Sequence, residues 1–209
     1  MNKKLTLLIA DDHPLILEGL VKQIEADNIF KIIAVANNGD TAWQLFKKNN
    51  PDIAILDIEM NGTNGIELTE KIKKEYPETK VILLTMHTSP WIISQAQNAN
   101  PNCILFKNMS SQDILNAIHI VNEKETFIPT EIERIINQNS IDLTNIQSLT
   151  KREVEVLKLI SEGNTTQQIA DTLFLSVNTI ETYRKNLLLK FETPNVAGLV
   201  KKAAELGII

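Results

Sequence analysis

The sequence of 209 residues lacks the features that mark several protein classes. Its single cysteine, Cys103, excludes an intramolecular disulfide bond and favours a reducing compartment such as the cytoplasm. No apolar run approaches the roughly 20 residues that are needed to span a bilayer. The first apolar run meets Asp11 too soon to be a signal peptide. We therefore expect a cytoplasmic protein with no membrane partner.

The chain also lacks the excess of positive charge that is typical of nucleic-acid-binding proteins. Its net charge is −5, and the charge is unevenly distributed. Residues 1–125 have a net charge of −4, whereas residues 149–209 have a net charge of +1. Any affinity of the last segment for DNA must therefore come from the local placement of its charges.

Short apolar runs alternate with helical patterns in the first 125 residues. The runs cover residues 5–10, 32–36, 53–56, 81–84 and 104–106. Between and after them, apolar residues recur at helical spacing. Five such strand–helix units predict an α/β fold, a five-stranded doubly wound parallel sheet with helices on both faces.

The remaining residues have helical patterns only. In the connector we predict a short helix from Pro129 or Thr130 to Asn137, followed by a loop at residues 138–140. Four further helices are predicted at residues 150–163, 166–173, 176–190 and 195–206. Two short helices joined by a tight turn within such an all-α four-helix unit indicate a helix-turn-helix. We place the domain boundaries at residues 1–123, 124–147 (the linker) and 148–209.

Polar side chains stand at the ends of four of the five predicted strands. They are Asp11 and Asp12 after the first, Asp57 after the third, Thr85 after the fourth and Lys107 after the fifth. Each alone would be an ordinary cap or turn residue. Ligands in parallel sheets bind at the carboxyl ends of the strands, where all these side chains are expected to meet. The set therefore predicts a site.

The residue types at this site suit a cation and a phosphoryl group. Carboxylates are ligands that Mg²⁺ prefers, and the cation offsets charge on a transferring phosphoryl group. The Asp57 carboxylate can act as a nucleophile and form an aspartyl-phosphate. Lys107 would pair with phosphoryl oxygens, and Thr85 would donate a hydrogen bond to one of them.

Two segments carry a family resemblance. Residues 9–14 read IADDHP and residues 56–60 read LDIEM, with Thr85 and Lys107 at the remaining motif positions. The first 125 residues thereby resemble the receiver domain of two-component response regulators, which has a flavodoxin-like fold. The resemblance implies that Asp57 accepts a phosphoryl group from the histidine of a sensor kinase.

The resemblance also implies which residues bind a cation and how the conformation changes on phosphorylation. It implies Mg²⁺ held by Asp11, Asp12, Asp57 and the backbone carbonyl of Glu59. It further implies that phosphorylation draws Thr85 inward and shifts the surface formed by the fourth helix, the fifth strand and the fifth helix.

Two positions depart from the family pattern. Asn61 stands where the family usually has proline, and Ile104 stands where it often has an aromatic residue. Rotation of that aromatic ring commonly accompanies the switch, whereas isoleucine is stiff at its first side-chain torsion and has no ring. Either activation is transmitted differently in this chain, or Ile104 is simply a core residue.

The C-terminal segment carries a second resemblance. Its motifs are LTKRE at residues 149–153, EGNTTQQIA at 162–170 and LSVNTIETYRKNL at 175–187. Residues 149–209 thereby resemble the LuxR-type (NarL/FixJ-type) DNA-binding output domain along their whole length. In the predicted recognition helix, a packed face is formed by Val177, Ile180, Leu187 and Leu188.

The opposite side of this helix carries the candidate DNA contacts. Lys185 could donate to guanine, Glu181 could accept from cytosine, and the Thr182 methyl group could touch thymine. Residues predicted to contact phosphates are Ser176, Thr179, Arg184 and Lys190. Tyr183 is either buried packing or a hydroxyl that bonds a phosphate.

These features favour a transcription regulator, not an enzyme, whose binding to double-stranded DNA is switched by phosphorylation of Asp57. We expect a homodimer, favoured by phosphorylation, on an inverted repeat. Two alternatives stay open. One is a regulator in which the receiver is a fixed dimerisation module. The other is a Mg²⁺-dependent phosphotransferase or phosphatase, for which Glu59 is the one evident acid or base.

Overall fold

The computed structural model describes residues 4–124, 126–143, 146 and 149–209. Its contacts divide the chain into two compact units. The first contains the described residues of 1–87 and 95–134, and the second contains those of 88–94 and 135–209. The domain boundaries given above stay a prediction. In the described part of the chain, no helix is long and apolar enough to cross a membrane.

Five strands and five helices alternate up to residue 123, as the apolar pattern predicts. The strands are β1 (Leu5–Ala10), β2 (Phe30–Ala36), β3 (Ile53–Asp57), β4 (Lys80–Thr85) and β5 (Cys103–Phe106). The helices are α1 (Pro14–Glu25), α2 (Gly39–Asn49), α3 (Gly65–Glu75), α4 (Pro90–Asn98) and α5 (Ser111–Glu123). All strand pairs are parallel, in the order β2-β1-β3-β4-β5. The predicted parallel five-stranded sheet is confirmed.

The sheet is covered on both faces. Every residue of β3 and β5 is buried, so these strands read as continuous apolar runs and not as alternating ones. Side-chain oxygens cap several of the covering helices. For example, Asn64 accepts a hydrogen bond from the backbone nitrogen of Glu67, and Ser110 accepts one from Asp113. Each cap fixes where the chain leaves a strand-end loop and enters a helix.

Two strands extend one residue beyond their apolar runs. Asp57 is the last residue of β3 and pairs with Leu84, and Thr85 is the last residue of β4 and pairs with Phe106. The strand ladder is made by the backbone, so it continues where the side chains become polar. Both polar side chains are consequently fixed by the sheet itself.

The connector contains a longer helix than predicted. Helix α6 (Thr130–Leu143) runs through residues 138–140, so the loop predicted there is wrong. Asparagine, glutamine and serine each cost only a few tenths of a kcal/mol in a helix interior, and neither glycine nor proline interrupts the segment. Nothing in the sequence therefore ends the helix at residue 137.

The second unit contains the four predicted C-terminal helices. They are α7 (Lys151–Ser161), α8 (Thr166–Leu173), α9 (Val177–Lys190) and α10 (Val196–Glu205). Capping boxes begin α7 and α8, and the side chains of Ser176 and Asn195 cap α9 and α10. Phe174 adopts a left-handed φ of 54° in the turn between α8 and α9. The predicted helix-turn-helix arrangement is confirmed.

The core of these four helices includes most of the predicted packed face of α9. Ile180 and Leu187 are fully buried, and Leu188 packs partly buried against the same cluster. Val177 does not belong to this face, since 38% of it is exposed at the first turn of the helix. Its assignment as a core residue is therefore corrected.

Candidate functional site

Three carboxylates converge at the carboxyl edge of the sheet. Ligand atoms of Asp11, Asp12, Asp57 and the neighbouring His13 all lie within 4.8 Å of one another. Asp11 and Asp57 are buried, whereas 24% of the Asp12 side chain is exposed. The predicted convergence of β1 and β3 thus creates a pocket of oxygen ligands with one open side.

Lys107 occupies the inner wall of this pocket. Its Nζ lies 2.8 Å from Oδ2 of Asp11 and 2.7 Å from Oδ2 of Asp57, and its side chain is almost fully buried. Oδ1 of Asp12 is also buried and accepts no hydrogen bond. One ammonium group cannot balance three carboxylates, so the oxygens fit a divalent cation. The residues Asp11, Asp12 and Asp57 could hold a metal ion.

The charges of the pocket act on the pKa of Asp57. Burial raises the pKa of this carboxyl group to about 6, and the nearby Asp11 carboxylate acts in the same direction. Lys107 opposes both effects. A divalent cation beside the carboxylate would also favour the charged form. Lys107 therefore favours the ionised, nucleophilic form of Asp57, and a bound cation would act in the same direction.

Thr85 is buried at the same edge. Its backbone oxygen accepts a hydrogen bond from the backbone nitrogen of Lys107 at 2.8 Å, which joins the ends of β4 and β5. The Thr85 hydroxyl oxygen accepts a hydrogen bond from the His87 backbone nitrogen at 2.9 Å. Because a hydroxyl can accept and donate at once, this bond leaves its proton able to donate to another acceptor.

Glu59 lies in the loop after β3. Its backbone nitrogen donates to Oδ1 of Asp57 at 3.2 Å, and its side chain pairs with Nε2 of His87 at 2.8 Å. The loop is therefore attached to Asp57 on one side and to the segment after β4 on the other. Cation binding by the Glu59 backbone carbonyl stays a prediction.

Close backbone packing shapes the same loop. The Gly65 nitrogen donates to the Ile58 carbonyl at 3.0 Å, and a Cβ atom on Gly65 would overlap the Asp57 carbonyl oxygen. Asn61, which replaces the usual proline, donates from Nδ2 to Oδ2 of Asp12 at 3.4 Å. The departure at residue 61 thus places an amide group on one of the candidate cation ligands.

Ile104 is a buried residue of β5. Only 5% of it is exposed, and it pairs with Leu83 of β4 in the sheet. This placement agrees with the interpretation of Ile104 as a core residue.

Helix α9 presents most of the residues predicted to contact DNA. Glu181, Thr182 and Lys185 are exposed, as is Ser176 at the N-cap, whereas Tyr183 packs partly buried against the core. The Glu181 carboxylate accepts a hydrogen bond of 2.8 Å from the hydroxyl group of Thr166 in α8. This bond holds Glu181 in a defined position relative to the preceding helix.

Four of the predicted phosphate contacts differ in their surroundings. The hydroxyl oxygens of Ser176 and Thr179 lie 2.7 Å apart at the start of α9. Arg184 is half-buried. Lys190 donates from Nζ to Oε2 of the buried Glu153 at 2.8 Å, so its ammonium group already pairs within the domain. A contact between Lys190 and a phosphate would compete with this ion pair.

Two histidines that were not predicted as site residues lie at the rim of the carboxylate pocket. Nδ1 of His13 lies 2.9 Å from Oδ1 of Asp12, and His87 pairs with Glu59. Their positions in the sequence, next to predicted site residues, were the one sign that they belong near the site. His13 follows Asp12 directly, and His87 follows Thr85 by two residues.

Comparison with protein families identifies two regions. The family described as "Response regulator receiver domain" matches residues 7–119. The family described as "Bacterial regulatory proteins, luxR family" matches residues 147–203. Together these matches include the carboxylate pocket and helices α7 to α9.

Two known proteins are similar to this chain along almost its whole length. A putative transcriptional regulator of Pseudomonas aeruginosa is 35% identical, over 97% of this chain and 99% of that protein. The transcriptional regulatory protein MctR of Rhizobium johnstonii is 30% identical, over 99% of this chain and 96% of that protein.

Solved structures are also similar to this chain along almost its whole length. RcsB of Salmonella enterica serovar Typhimurium, solved bound to the promoter P1flhDC with the phosphomimetic BeF3−, has a TM-score of 0.67 and 26% identity. The match covers 98% of this chain and 100% of that one. The chain belongs to the response regulators that join a receiver domain to a LuxR-type helix-turn-helix domain.

Proposed function

We propose that a sensor histidine kinase phosphorylates Asp57 with Mg²⁺ as the cation, and that this event controls binding of double-stranded DNA by helix α9. The observation that carries the proposal is the pocket of Asp11, Asp12 and Asp57 closed by the buried Lys107. Its oxygens and its one cationic side chain match the charges of a metal ion and a phosphoryl group.

Asp57 is the proposed nucleophile. A carboxylate oxygen of Asp57 attacks the phosphorus of a phosphohistidine, and a P–O bond forms as the P–N bond breaks. The imidazole nitrogen leaves with the electron pair and takes up a proton. The two proposed phosphoryl contacts act on the charge of the phosphoryl oxygens, Lys107 through its ammonium group and Thr85 through its hydroxyl proton.

The proposed Mg²⁺ ligands are Asp11, Asp12, Asp57 and the backbone carbonyl of Glu59. When bound, Mg²⁺ would offset the negative charge of the phosphoryl group and of the carboxylates. Asp11 and Asp12 hold positions beside Asp57 because β1 and β3 are neighbours in the sheet.

Helix α9 is the proposed DNA-reading element. Glu181, Thr182 and Lys185 are exposed on it and are proposed to contact base edges in the major groove. The proposed phosphate contacts are Ser176, Thr179, Tyr183, Arg184 and Lys190. Because residues 149–209 have a net charge of only +1, one domain should bind DNA weakly. A homodimer, favoured by phosphorylation, would place two such helices on adjacent half-sites.

The decisive experiment measures phosphorylation and DNA occupancy on the same samples. The wild type, Asp57→Ala and the control Asp113→Ala are incubated with a phosphodonor and Mg²⁺. They are then run on a gel that retards phosphoproteins and used for footprinting on DNA selected from a random pool. We expect a retarded band and increased occupancy for the wild type and the control, and neither for Asp57→Ala.

The same experiment discriminates the alternatives. A footprint of equal strength with and without the phosphodonor would favour a receiver that acts as a fixed dimerisation module, for which Asn61 and Ile104, in place of the usual proline and aromatic residue, are the supporting observations. Continuous turnover of a small phosphate ester, lost in Asp57→Ala, would favour an enzyme and contradict the proposal.

A further inference from the structure

We propose that His13 supplies a nitrogen ligand to the cation in the carboxylate pocket, so that this chain binds a divalent transition-metal ion such as Co²⁺ or Mn²⁺ better than a site of carboxylates alone would. The inference rests on the proposed cation site and deepens it. It concerns which cation the site selects, and it leaves the role of Asp57 unchanged.

The spacing of the ligand atoms is the first observation. Nδ1 of His13 lies 2.9 Å from Oδ1 of Asp12 and 3.3 Å from Oδ1 of Asp11. Two adjacent ligands of an octahedral ion, each bound at about 2.1 Å, stand roughly 3.0 Å apart. The imidazole and the two carboxylates therefore already have nearly the separation that shared coordination requires.

The backbone holds His13 in this position. It is the N-cap of α1, and its side chain makes no capping hydrogen bond to that helix. Its backbone nitrogen donates to Oδ1 of Asp11 at 2.8 Å, while Pro14 fixes the first turn that follows. The ring therefore makes no capping hydrogen bond and lies beside the two carboxylates.

Incompletely neutralised carboxylates are the second observation. Oδ2 of Asp11 and Oδ2 of Asp57 share a single ammonium group, and Oδ1 of Asp12 is buried without a hydrogen bond. Lys107 reaches the Asp11 and Asp57 oxygens from the inner side. His13, with 58% of its side chain exposed, stands on the solvent side. A cation entering from solvent would meet an imidazole nitrogen together with these oxygens.

The chemistry of this mixed ligand set determines the preference. Mg²⁺ is a hard ion that favours oxygen ligands and retains its waters. Imidazole nitrogen binds the later divalent ions of the first transition row more strongly, in the order Mn²⁺ < Co²⁺ < Ni²⁺. A nitrogen ligand should therefore strengthen the binding of Co²⁺ much more than that of Mg²⁺.

The test compares the affinities of the full-length protein for Co²⁺ and Mg²⁺ by calorimetry at one pH. His13→Gln keeps a polar side chain but removes the imidazole, and His119→Gln and His87→Gln are the matched controls. We expect His13→Gln to weaken Co²⁺ binding by at least about tenfold and Mg²⁺ binding by less than about twofold. Both controls should keep the wild-type ratio of affinities.

A spectroscopic readout tests the ligand directly. Electron spin-echo measurements on the Mn²⁺-loaded wild type should show coupling to a ¹⁴N nucleus, which His13→Gln should lose and His87→Gln should retain. Coupling that persists in His13→Gln would contradict the proposal, and so would equal weakening of Co²⁺ and Mg²⁺, which would make His13 only a positioning residue.

The outcomes separate this inference from the proposed function. If the wild type binds Mg²⁺ and is phosphorylated at Asp57, but His13→Gln has the same ratio of Co²⁺ to Mg²⁺ affinity as the wild type, this inference alone is overturned. A wild type that binds neither cation would overturn both the Mg²⁺ assignment and this inference.

Discussion

Nζ of Lys107 lies 2.7 Å from Oδ2 of Asp57, and both side chains are almost completely buried. The same ammonium group lies 2.8 Å from Asp11, and Asp12 is a third carboxylate in the pocket. One ammonium group therefore does not neutralise the three carboxylates. Burial consequently raises the pKa of Asp57 even with Lys107 beside it. The carboxylates in such a site repel one another, and a bound cation would reduce this repulsion.

Asp57→Asn should stabilise the protein in the absence of divalent cations. A pKa raised from 3.8 to about 6 means that the folded state disfavours the charged carboxylate at neutral pH. Asparagine removes this charge, while Lys107 keeps its contact with Asp11. We expect the free energy of unfolding in urea to rise by about 1–2 kcal/mol, less than the roughly 3 kcal/mol that this shift alone represents.

The control is Asp113→Asn, which removes an exposed carboxylate that is not among the ligand atoms of the pocket and should change the free energy of unfolding by no more than about 0.5 kcal/mol. Added Mg²⁺ should stabilise the wild type by mass action and Asp57→Asn much less. A less stable Asp57→Asn would show that the ion pair with Lys107 outweighs the cost of the buried charge.

The buried ion pair of Glu153 predicts that the free energy of unfolding of the C-terminal unit depends on pH. Burial alone would raise the pKa of this carboxyl group, but hydrogen bonds from Lys190 and from the Thr150 nitrogen outweigh it and hold the pKa below its ordinary value of 4.5. The stabilisation by ionised Glu153 is thus complete above pH 4.5 and is lost as the pH falls through the lowered value. Glu153→Gln should cost about 1–3 kcal/mol at neutral pH.

Urea unfolding of the wild type and Glu153→Gln at a series of pH values measures this effect. The difference between the two proteins should shrink as the pH falls below 4.5. Glu155→Gln, which removes the exposed carboxylate paired with Arg152, is the control and should show no such trend. A difference for Glu153→Gln that is independent of pH would show that packing, and not charge, is responsible.

The interactions that could be read from the sequence follow from a local spacing or from the geometry of a parallel sheet. The capping box of Thr150 and Glu153 follows from a spacing of three residues, and the five strands follow from short apolar runs. The convergence of Asp11, Asp57 and Lys107 follows because parallel strands end at one edge. Each of these inferences needs only the pattern along the chain and the rule for a parallel sheet.

The interactions that the sequence did not reveal join distant parts of the chain. Lys190 pairs with Glu153 across 37 positions, and Glu59 pairs with His87 across the ends of two strands. A lysine at the end of a recognition helix looks like a phosphate contact until its buried partner is known. The extension of α6 beyond residue 137 was missed for another reason, because polar residues only weakly oppose a helix.

Gly65 should be intolerant of a side chain because it lies against the Asp57 backbone. A Cβ atom there would overlap the Asp57 carbonyl oxygen, so Gly65→Ala must displace the start of α3 or the end of β3. We expect a loss of about 1–3 kcal/mol in the free energy of unfolding and slower phosphorylation of Asp57. Urea unfolding and the rate of band retardation on a phosphoprotein gel measure the two effects.

Gly19→Ala is the matched control. Gly19 lies inside α1 with no atom near the position of an added Cβ, so alanine should stabilise the helix by about 0.5–1 kcal/mol. The two glycine substitutions should therefore have opposite signs. A Gly65→Ala protein as stable as the wild type would mean that the loop after β3 can move away at no cost.

Lys185 should carry sequence specificity and not general affinity for DNA. It is exposed on α9, one turn after Glu181, which Thr166 holds in place. If Lys185 donates to a guanine, Lys185→Ala should weaken binding to the selected site by about 1–3 kcal/mol and leave non-specific binding almost unchanged. Lys158→Ala, an exposed lysine on α7, should alter neither.

A salt titration separates this role from that of a phosphate contact. Arg184→Ala should weaken binding to all sequences and reduce the slope of log K against log salt by about 1, because one fewer counterion is released. Lys185→Ala should instead reduce the ratio of specific to non-specific binding. Undiminished specific binding by Lys185→Ala would contradict the proposed orientation of α9, because its exposed face would then not be the one that reads the bases.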